Sequence, residues 1–387
     1  MRTLNLVAGV LCVVLVLFDA FQTIILPRRA IGRVRITSLF YVLTWRPWII
    51  FTKLIHNPRK RECVFSYYGP LSLILLLIIW AGGLILGFGL LFFALGRPFH
   101  DSFEQPDLRT DLYVSGTTLF TLGLGDVTPQ TSAARVLTIL ESGTGLGFLA
   151  VVMGYFPVLY GAFSRREVSI ALLDARAGSP PTAVVLLRRH SNEGAAESLA
   201  LLLNEWERWS AELLLSHISY PLLCYFRSQH SNQSWLSALT AILDTSALLI
   251  AGVRGQEARQ AQLTFAMARH ALVDLTQIFF LAPVANGADR LPLARYDDLY
   301  ALLCQSGVSM CRDGQSYERL RELRALYEGY AEALAAYLQM PLPPWMPDIS
   351  RPLDNWERVA RLRAQSEVQD SSVQVSVSEL NEPHHDF

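Results

Sequence analysis

The chain has 387 residues, of which 51% are hydrophobic and only 17% are charged. Its formal net charge of −1 argues against a nucleic-acid partner, because such partners require a basic surface. The apolar residues are concentrated in long runs, so we expect about a third of the chain to lie in a membrane. The five cysteines show neither metal-ligand nor disulfide spacing.

The first predicted element is a transmembrane helix within residues 1–27. The stretch from Leu4 to Leu26 is apolar, and Asp19 is its only charged residue. It continues without an Ala-x-Ala cleavage site and ends at Pro-Arg-Arg, so we interpret it as a retained span and not as a signal peptide. Asp19 is expected to face protein and not lipid.

A basic segment at residues 28–66 follows, and we place it on the cytoplasmic side because cytoplasmic loops are enriched in Lys and Arg. Within it, residues 38–56 carry two tryptophans that flank Arg46-Pro47. Such residues favour the headgroup zone, so we predict an interfacial helix that is broken near Pro47. A further membrane span at residues 38–56 is the alternative.

Residues 67–163 contain two apolar runs that are long enough to cross a bilayer. The run from Leu71 to Leu95 has no charged residue, and the run from Ala133 to Phe163 has only Arg135 and Glu141. Between them, residues 111–120 are predicted to form a short helix. Six residues follow that helix: Thr121, Leu122, Gly123, Leu124, Gly125 and Asp126.

Glycine at every second position of this hexapeptide permits a backbone that turns its carbonyl groups inward. Four such strands around one axis would form rings of oxygens that replace the hydration shell of potassium. The sequence resembles the pore-loop potassium channel superfamily, whose filter commonly reads Thr-Val-Gly-Tyr-Gly-Asp. Leucine in place of the aromatic residue is similar to the second pore repeat of two-pore potassium channels. The resemblance covers about residues 70–163.

This resemblance implies a role for each residue of the hexapeptide. Thr121 would be the entry ligand, through its hydroxyl and carbonyl oxygens, and the carbonyls of residues 122–124 would form further rings. Gly123 and Gly125 would allow the required backbone. Asp126 would stand at the outer mouth, where its charge concentrates cations.

Two departures from the family pattern concern the support of this filter. Leu124 replaces the filter aromatic, and Tyr113 is followed by Val114 where the family has paired aromatics. Weaker bracing puts strict potassium selectivity in question. Thr117 stands where some relatives carry a Glu that is hydrogen-bonded to the filter Asp, so only a hydroxyl could make that contact here. Tyr113 and Thr117 are therefore the candidates on this helix for supporting the filter.

The second apolar run would be the inner helix, and three of its residues are candidates for function. Glu141 is predicted to contact the short helix behind the filter, where it would be neutral and hydrogen-bonded, or purely structural. Gly145 lies twenty residues after Gly125, the position of a gating hinge in the family, although small residues also permit close helix packing. Pro157 should kink the helix.

The rest of the chain is predicted to be helical and soluble. We expect a linker at 164–182, a bundle of five to seven helices at 183–350, and a disordered acidic tail at 366–387. The apolar stretch 234–251 is expected to be a buried bundle helix. No ligand-binding signature is recognised, so a cytoplasmic regulatory ligand or protein partner stays unknown. The polar aromatic residues between 217 and 235 are expected in a core or an interface.

The sequence therefore predicts an all-α membrane protein with a potassium-channel pore module. It would be a multi-pass protein of the cell membrane, with a cytoplasmic C-terminal domain and no enzymatic activity. Because one chain supplies one loop, the channel would be a homotetramer that needs no cofactor beyond the conducted potassium ions. The alternatives are a weakly selective cation channel and a membrane-anchored sensor or interaction protein with a non-conducting pore.

Overall fold

Helices form nearly all of the secondary structure in the computed structural model of the chain. The structure describes residues 2–26, 36–96, 98–100, 107–191, 195–230, 232–252, 256–285, 287–308, 310 and 315–347. The predicted disordered tail and residues 28–35 of the basic segment lie outside these residues. The helices are α1 (Arg2–Ala20), α2 (Ile36–Lys53), α3 (Pro58–Leu95), α4 (Leu108–Leu119), α5 (Ser132–Ala177), α6 (Ala183–Arg189), α7 (Ala195–Ser219), α8 (Trp235–Gly252), α9 (Gln256–Ile278), α10 (Leu293–Gln305), α11 (Ser316–Ala325) and α12 (Glu328–Leu338).

Two compact units divide the chain. The first consists of Met1–Arg165 and Leu215–Arg227, and the second of Arg166–Leu214 and Ser228–Phe387. The sequence predicted one helical domain at 183–350, whereas the structure assigns 215–227 to the first unit. Hydropathy and helical periodicity describe only local character, so they do not show that a short soluble stretch returns to another unit.

Four helical stretches are long and apolar enough to cross a membrane: Arg2–Ile25, which is α1 extended by a π-helical turn (Phe21–Ile25), and α3, α5 and α8. Of the 18 residues of helix α8, 94% are buried inside the protein, as expected for a bundle helix. Helix α2 is not among the four. The predicted break near Pro47 is wrong, because α2 continues through Pro47 to Lys53.

Both long helices of the first unit extend beyond their apolar runs. Helix α3 begins at Pro58, because the Asn57 side chain accepts hydrogen bonds from the amides of Arg59 and Lys60. Helix α5 continues to Ala177, so much of the predicted linker at 164–182 is helical. It ends there because Gly178 has a φ of +84°, a left-handed conformation that stops a helix.

The first unit is built on close packing of α1 against α3. A Cβ atom on Gly9 would stand 2.8 Å from the carbonyl oxygen of Gly87, so only glycine permits this approach. Asp19 of α1 is buried, as predicted for a residue that faces protein. Its carboxylate accepts hydrogen bonds from the backbone amide and hydroxyl of Thr37 in α2 and from Trp80 Nε1 in α3, at 2.6–3.3 Å. Asp19 thereby joins three helices.

The core of the second unit is α8, which is joined to later helices by a buried ionic network. Asp244 of α8 is only 1% exposed. It accepts hydrogen bonds from the Arg290 guanidinium at 2.7 and 3.2 Å and from the Tyr327 hydroxyl at 2.5 Å. Arg290 also pairs with Glu328 at 3.0 Å. Burial raises the pKa of Glu328, although Arg290 and Arg324 oppose this rise.

Removing Arg290 is expected to destabilise the second unit strongly. Arg290→Ala leaves the Asp244 carboxylate buried without its cation, which costs about 3–5 kcal/mol. The matched control is Arg321→Ala, because Arg321 pairs with Glu318 on the surface, where both side chains are more than half exposed. Thermal unfolding of both variants in detergent, followed by circular dichroism, should show a large fall in melting temperature for Arg290→Ala only. Equal shifts would contradict a structural role of the network.

Candidate functional site

Helix α4 positions the candidate site, which is the filter segment of residues 121–126. The helix begins one turn earlier than predicted, because the Asp107 side chain accepts a hydrogen bond from the amide of Arg109 at 3.2 Å. It ends at Leu119, two residues before the filter segment. The partial negative charge of its C-terminus therefore lies beside the start of this segment, where it favours a cation.

The backbone of the filter segment alternates in handedness. Thr121, Gly123 and Gly125 have φ angles of +55°, +57° and +79°. A left-handed conformation at every second residue turns successive carbonyl groups to the same side of the strand. Thr121 adopts it although a Cβ atom disfavours it, so the surrounding contacts impose this conformation.

The carbonyl oxygens of residues 121–125 are available to an ion. No backbone amide in the described part of the chain donates a hydrogen bond to them. The amides of Thr121 and Leu122 donate back to carbonyls of α4, at 3.0 and 2.8 Å, which fixes the first turn of the strand. Carbonyl oxygens that stay unpaired beside two apolar helices raise the free energy of the folded chain unless a cation or water binds them.

The two leucines of the filter segment are more than 60% exposed in the single chain. A lateral support comes from Tyr113, one of the predicted candidates, because its hydroxyl donates a hydrogen bond to Asp126 Oδ2 at 2.8 Å. The Thr117 hydroxyl was the other candidate on α4. That hydroxyl instead donates to the Val114 carbonyl of its own helix at 3.0 Å, because a helical threonine readily bonds its own preceding turn.

Glu141 of α5 lies against α4 behind the filter segment and is fully buried. It accepts a hydrogen bond from the Ser115 hydroxyl, which also donates to the Ile85 carbonyl of α3 at 3.0 Å. Ser115 therefore links α5 with α3 behind the filter segment. Ser115 was not predicted from the sequence, because α4 also carries Asp111, Thr117 and Thr118 and this polar pattern does not single out one hydroxyl.

At Gly145, helix α5 comes very close to the end of α4. A Cβ atom here would lie 2.0 Å from the Leu119 carbonyl oxygen, a distance that no packing can accommodate. For the neighbouring Gly143, a Cβ atom would meet nothing within 4 Å. The geometry therefore favours the packing interpretation of Gly145 over the hinge. Helix α5 also continues through Pro157 without interruption.

A short hairpin holds the far end of the filter segment. Strand β1 (Phe99–His100) pairs in antiparallel register with strand β2 (Thr128–Pro129). Phe99 also packs into an apolar cluster with Val114 of α4 and with Phe88 and Phe92 of α3. Val114, which stands where the family has an aromatic residue, thus anchors α4 to the outer helix α3 of its own chain.

Comparison with known proteins agrees with this geometry. A family model described as "Ion channel" matches residues 75–159, which extend from α3 through α4 and the filter segment into α5. The chain is also similar to "Uncharacterized membrane protein YdjJ" of Bacillus subtilis (strain 168), with 27% identity over 183 residues. The alignment covers 47% of this chain and 52% of the relative, so the chain spans about half the length of that relative. No solved structure matches the chain.

The family match and the helical architecture lead to one conclusion about class. The match covers most of the apolar parts of α3 and α5 and the whole loop between them. The chain is an all-α membrane protein, and its residues 75–159 form a domain of the ion-channel family.

Proposed function

We propose that the protein is a homotetrameric channel that conducts potassium passively across the cell membrane. One observation carries this proposal: residues 121, 123 and 125 alternate in left-handed conformation, and the carbonyls of 121–125 accept no backbone hydrogen bond in the described chain. Such carbonyls are the ligands that replace the hydration shell of potassium. Thr121, Leu122, Gly123, Leu124 and Gly125 would bind the ions, and Asp126 would attract cations to the mouth.

The proposed stoichiometry follows from the number of filter strands. One strand surrounds an ion on one side only, whereas four strands around an axis complete its coordination. The described part of the chain contains one filter segment, so four copies are required. Helix α5 leaves large apolar side chains exposed in the single chain, and neighbouring copies or lipid would cover them.

The proposed orientation places the second unit in the cytoplasm. Arg59, Lys60 and Arg61 begin α3, and Arg165 and Arg166 follow the membrane part of α5. Basic residues at span ends favour the cytoplasmic side, and both clusters are inside if the filter segment faces outward. A weakly selective cation channel is the second candidate, because Leu124 lacks the bracing that an aromatic ring supplies.

Selective flux is the direct test of the proposed function. Gly123→Ala should abolish potassium selectivity, because a residue with a Cβ atom resists a φ of +57° even though no other atom lies within 4 Å. Gly82→Ala is the control, since it also meets nothing within 4 Å but lies in helix α3. The measured quantity is the reversal potential in mixed potassium and sodium, recorded on liposomes that contain the purified protein. The mass of the purified particle is determined beforehand. A wild-type protein that conducts both ions equally would favour the weakly selective channel.

The contact behind the filter segment predicts different effects for two substitutions of Glu141. Glu141→Gln keeps an oxygen that accepts from Ser115 and should retain selective flux. Glu141→Ala removes this acceptor, leaves a cavity and should reduce flux or tetramer yield, since losing a buried partner costs about 1–3 kcal/mol. Flux and the mass of the purified particle are measured for both. If Gln is as harmful as Ala, Glu141 acts through its charge and not as a neutral hydrogen-bond partner.

The close approach at Gly145 predicts a sharp difference between neighbouring glycines. Gly145→Ala places a methyl group 2.0 Å from the Leu119 carbonyl oxygen and must displace the end of α4, so selectivity should be lost. Gly143→Ala meets nothing and should behave like the wild type. Reversal potentials of both variants decide the matter. A Gly145→Ala channel with normal selectivity and altered opening would instead support the hinge.

A further inference from the structure

A short stretch of the second half of the chain belongs to the membrane unit. This returning segment, residues 215–227, comprises the end of α7 and a 3₁₀ helix (Pro221–Tyr225). The residues on both sides of it belong to the second unit. The chain therefore joins the two units at three places: after Arg165, after Leu214 and after Arg227.

Tyr225 anchors the returning segment to α2 and α3. Its ring stacks on Tyr41 of α2 with a centroid distance of 5.2 Å and an interplanar angle of 10°. It also lies 5.0 Å from the ring of Trp45 and 5.3 Å from the ring of Tyr68. Trp45 is 2% exposed, so it lies inside this cluster.

The same segment covers one face of the inner helix α5. The rings of Tyr220 and Tyr155 are 5.6 Å apart, and so are those of Phe226 and Phe163. Leu222 and Leu223 share an apolar cluster with further residues of α5 and α3, namely Leu73, Tyr155, Leu159 and Ala162. The covered part of α5 surrounds Pro157 and ends near Arg165.

An ion pair closes the contact. The Arg227 guanidinium lies 4.8 Å above the Phe65 ring and 3.5 Å from the Glu62 carboxylate, both in α3. Arg227 is 7% exposed, so the segment carries its own cation into a nearly buried position. Burial lowers the pKa of Arg227, and Glu62 opposes this effect. A buried cation is retained only when the surrounding contacts compensate for lost hydration.

The opposite face of α5 is uncovered. Met153 and Tyr160, two helical turns apart, are each 67% exposed, whereas Tyr155, Leu159 and Ala162 are buried under the returning segment. In the proposed tetramer, the exposed face is the one available to the ion pathway and to neighbouring copies. The returning segment would then stand behind the inner helix, in the space into which this helix must move when the pore widens.

We infer that the returning segment is an autoinhibitory contact that holds α5 in its observed position and must withdraw before the channel opens. This inference rests on the proposed function. Withdrawal can be controlled by the second unit, because the segment is covalently continuous with that unit at both ends. A ligand or partner of the second unit would open the pore to the extent that it binds the withdrawn state more tightly.

A single methyl group on the outer helix tests this inference. In Gly69→Ala, the new Cβ atom would lie 2.7 Å from Cδ2 of the Phe226 ring, so the returning segment must shift. The matched control is Gly82→Ala in the same helix, where no atom lies within 4 Å. Phe226→Leu added to Gly69→Ala should relieve the clash. Glu62→Gln is a second, milder variant, because it only removes the carboxylate that faces Arg227.

Two measurements on the full-length protein separate the contact from its consequence. Tryptic cleavage after Arg227 should be faster in Gly69→Ala and Glu62→Gln than in the wild type or Gly82→Ala. The open probability in planar bilayers should rise about twofold to tenfold, the range expected for the loss of one aromatic contact. Phe226→Leu should return both values of Gly69→Ala only part of the way to those of the wild type, because it relieves the clash but removes the ring contact with Phe163.

Other results would overturn parts of the inference. Faster cleavage with an unchanged or reduced open probability would overturn the autoinhibitory role, and unchanged cleavage in both variants would overturn the contact itself. A wild-type protein that passes no potassium would overturn the channel together with its inhibition. A conducting wild type with an unaffected Gly69→Ala variant overturns the inhibition alone.

Discussion

The structure depends on one constraint, namely that a strand with unpaired carbonyl groups must be held rigid beside a membrane. Backbone carbonyls in such a place normally pair within helices, and leaving them unpaired is unfavourable. Each neighbouring element therefore fixes the strand from a different direction. Helix α4 receives the first amides, Tyr113 bonds Asp126, and strands β1 and β2 close the far end. Without these contacts, the left-handed backbone at Thr121 would relax.

The contacts behind the filter strand also help to hold it rigid, because they fix the helices that carry it. Ser115 connects α3 with Glu141 of α5, and Gly145 lets the backbones of α4 and α5 touch. Three helices thereby meet at one buried point behind the filter segment. Such a point has few alternative packings, so it resists movement of α5 beside the filter segment.

Local features of this protein could be predicted from its sequence, and long-range contacts could not. The spans follow from hydropathy over some twenty residues, and the filter backbone follows from glycine alternation within six. The pairing of Tyr113 with Asp126 joins residues thirteen positions apart across an irregular turn, so helical periodicity gives no sign of it. The predicted break of α2 failed for a related reason. Proline removes one hydrogen bond, but packing of Phe40 and Trp45 keeps the helix continuous.

The boundary between the two units could not be predicted from the sequence either, and the returning segment shows the reason. Its residues have the composition of a soluble amphipathic helix end, and the same apolar side chains could have completed the core of the second unit. The segment packs on the first unit instead, because Tyr225 contacts three aromatic rings on α2 and α3. The consequence is mechanical. A pore joined to its second unit by α5 alone could respond only to force along that helix. Two further connections, at both ends of a segment packed behind α5, allow the second unit to change the space available to the helix without pulling on it.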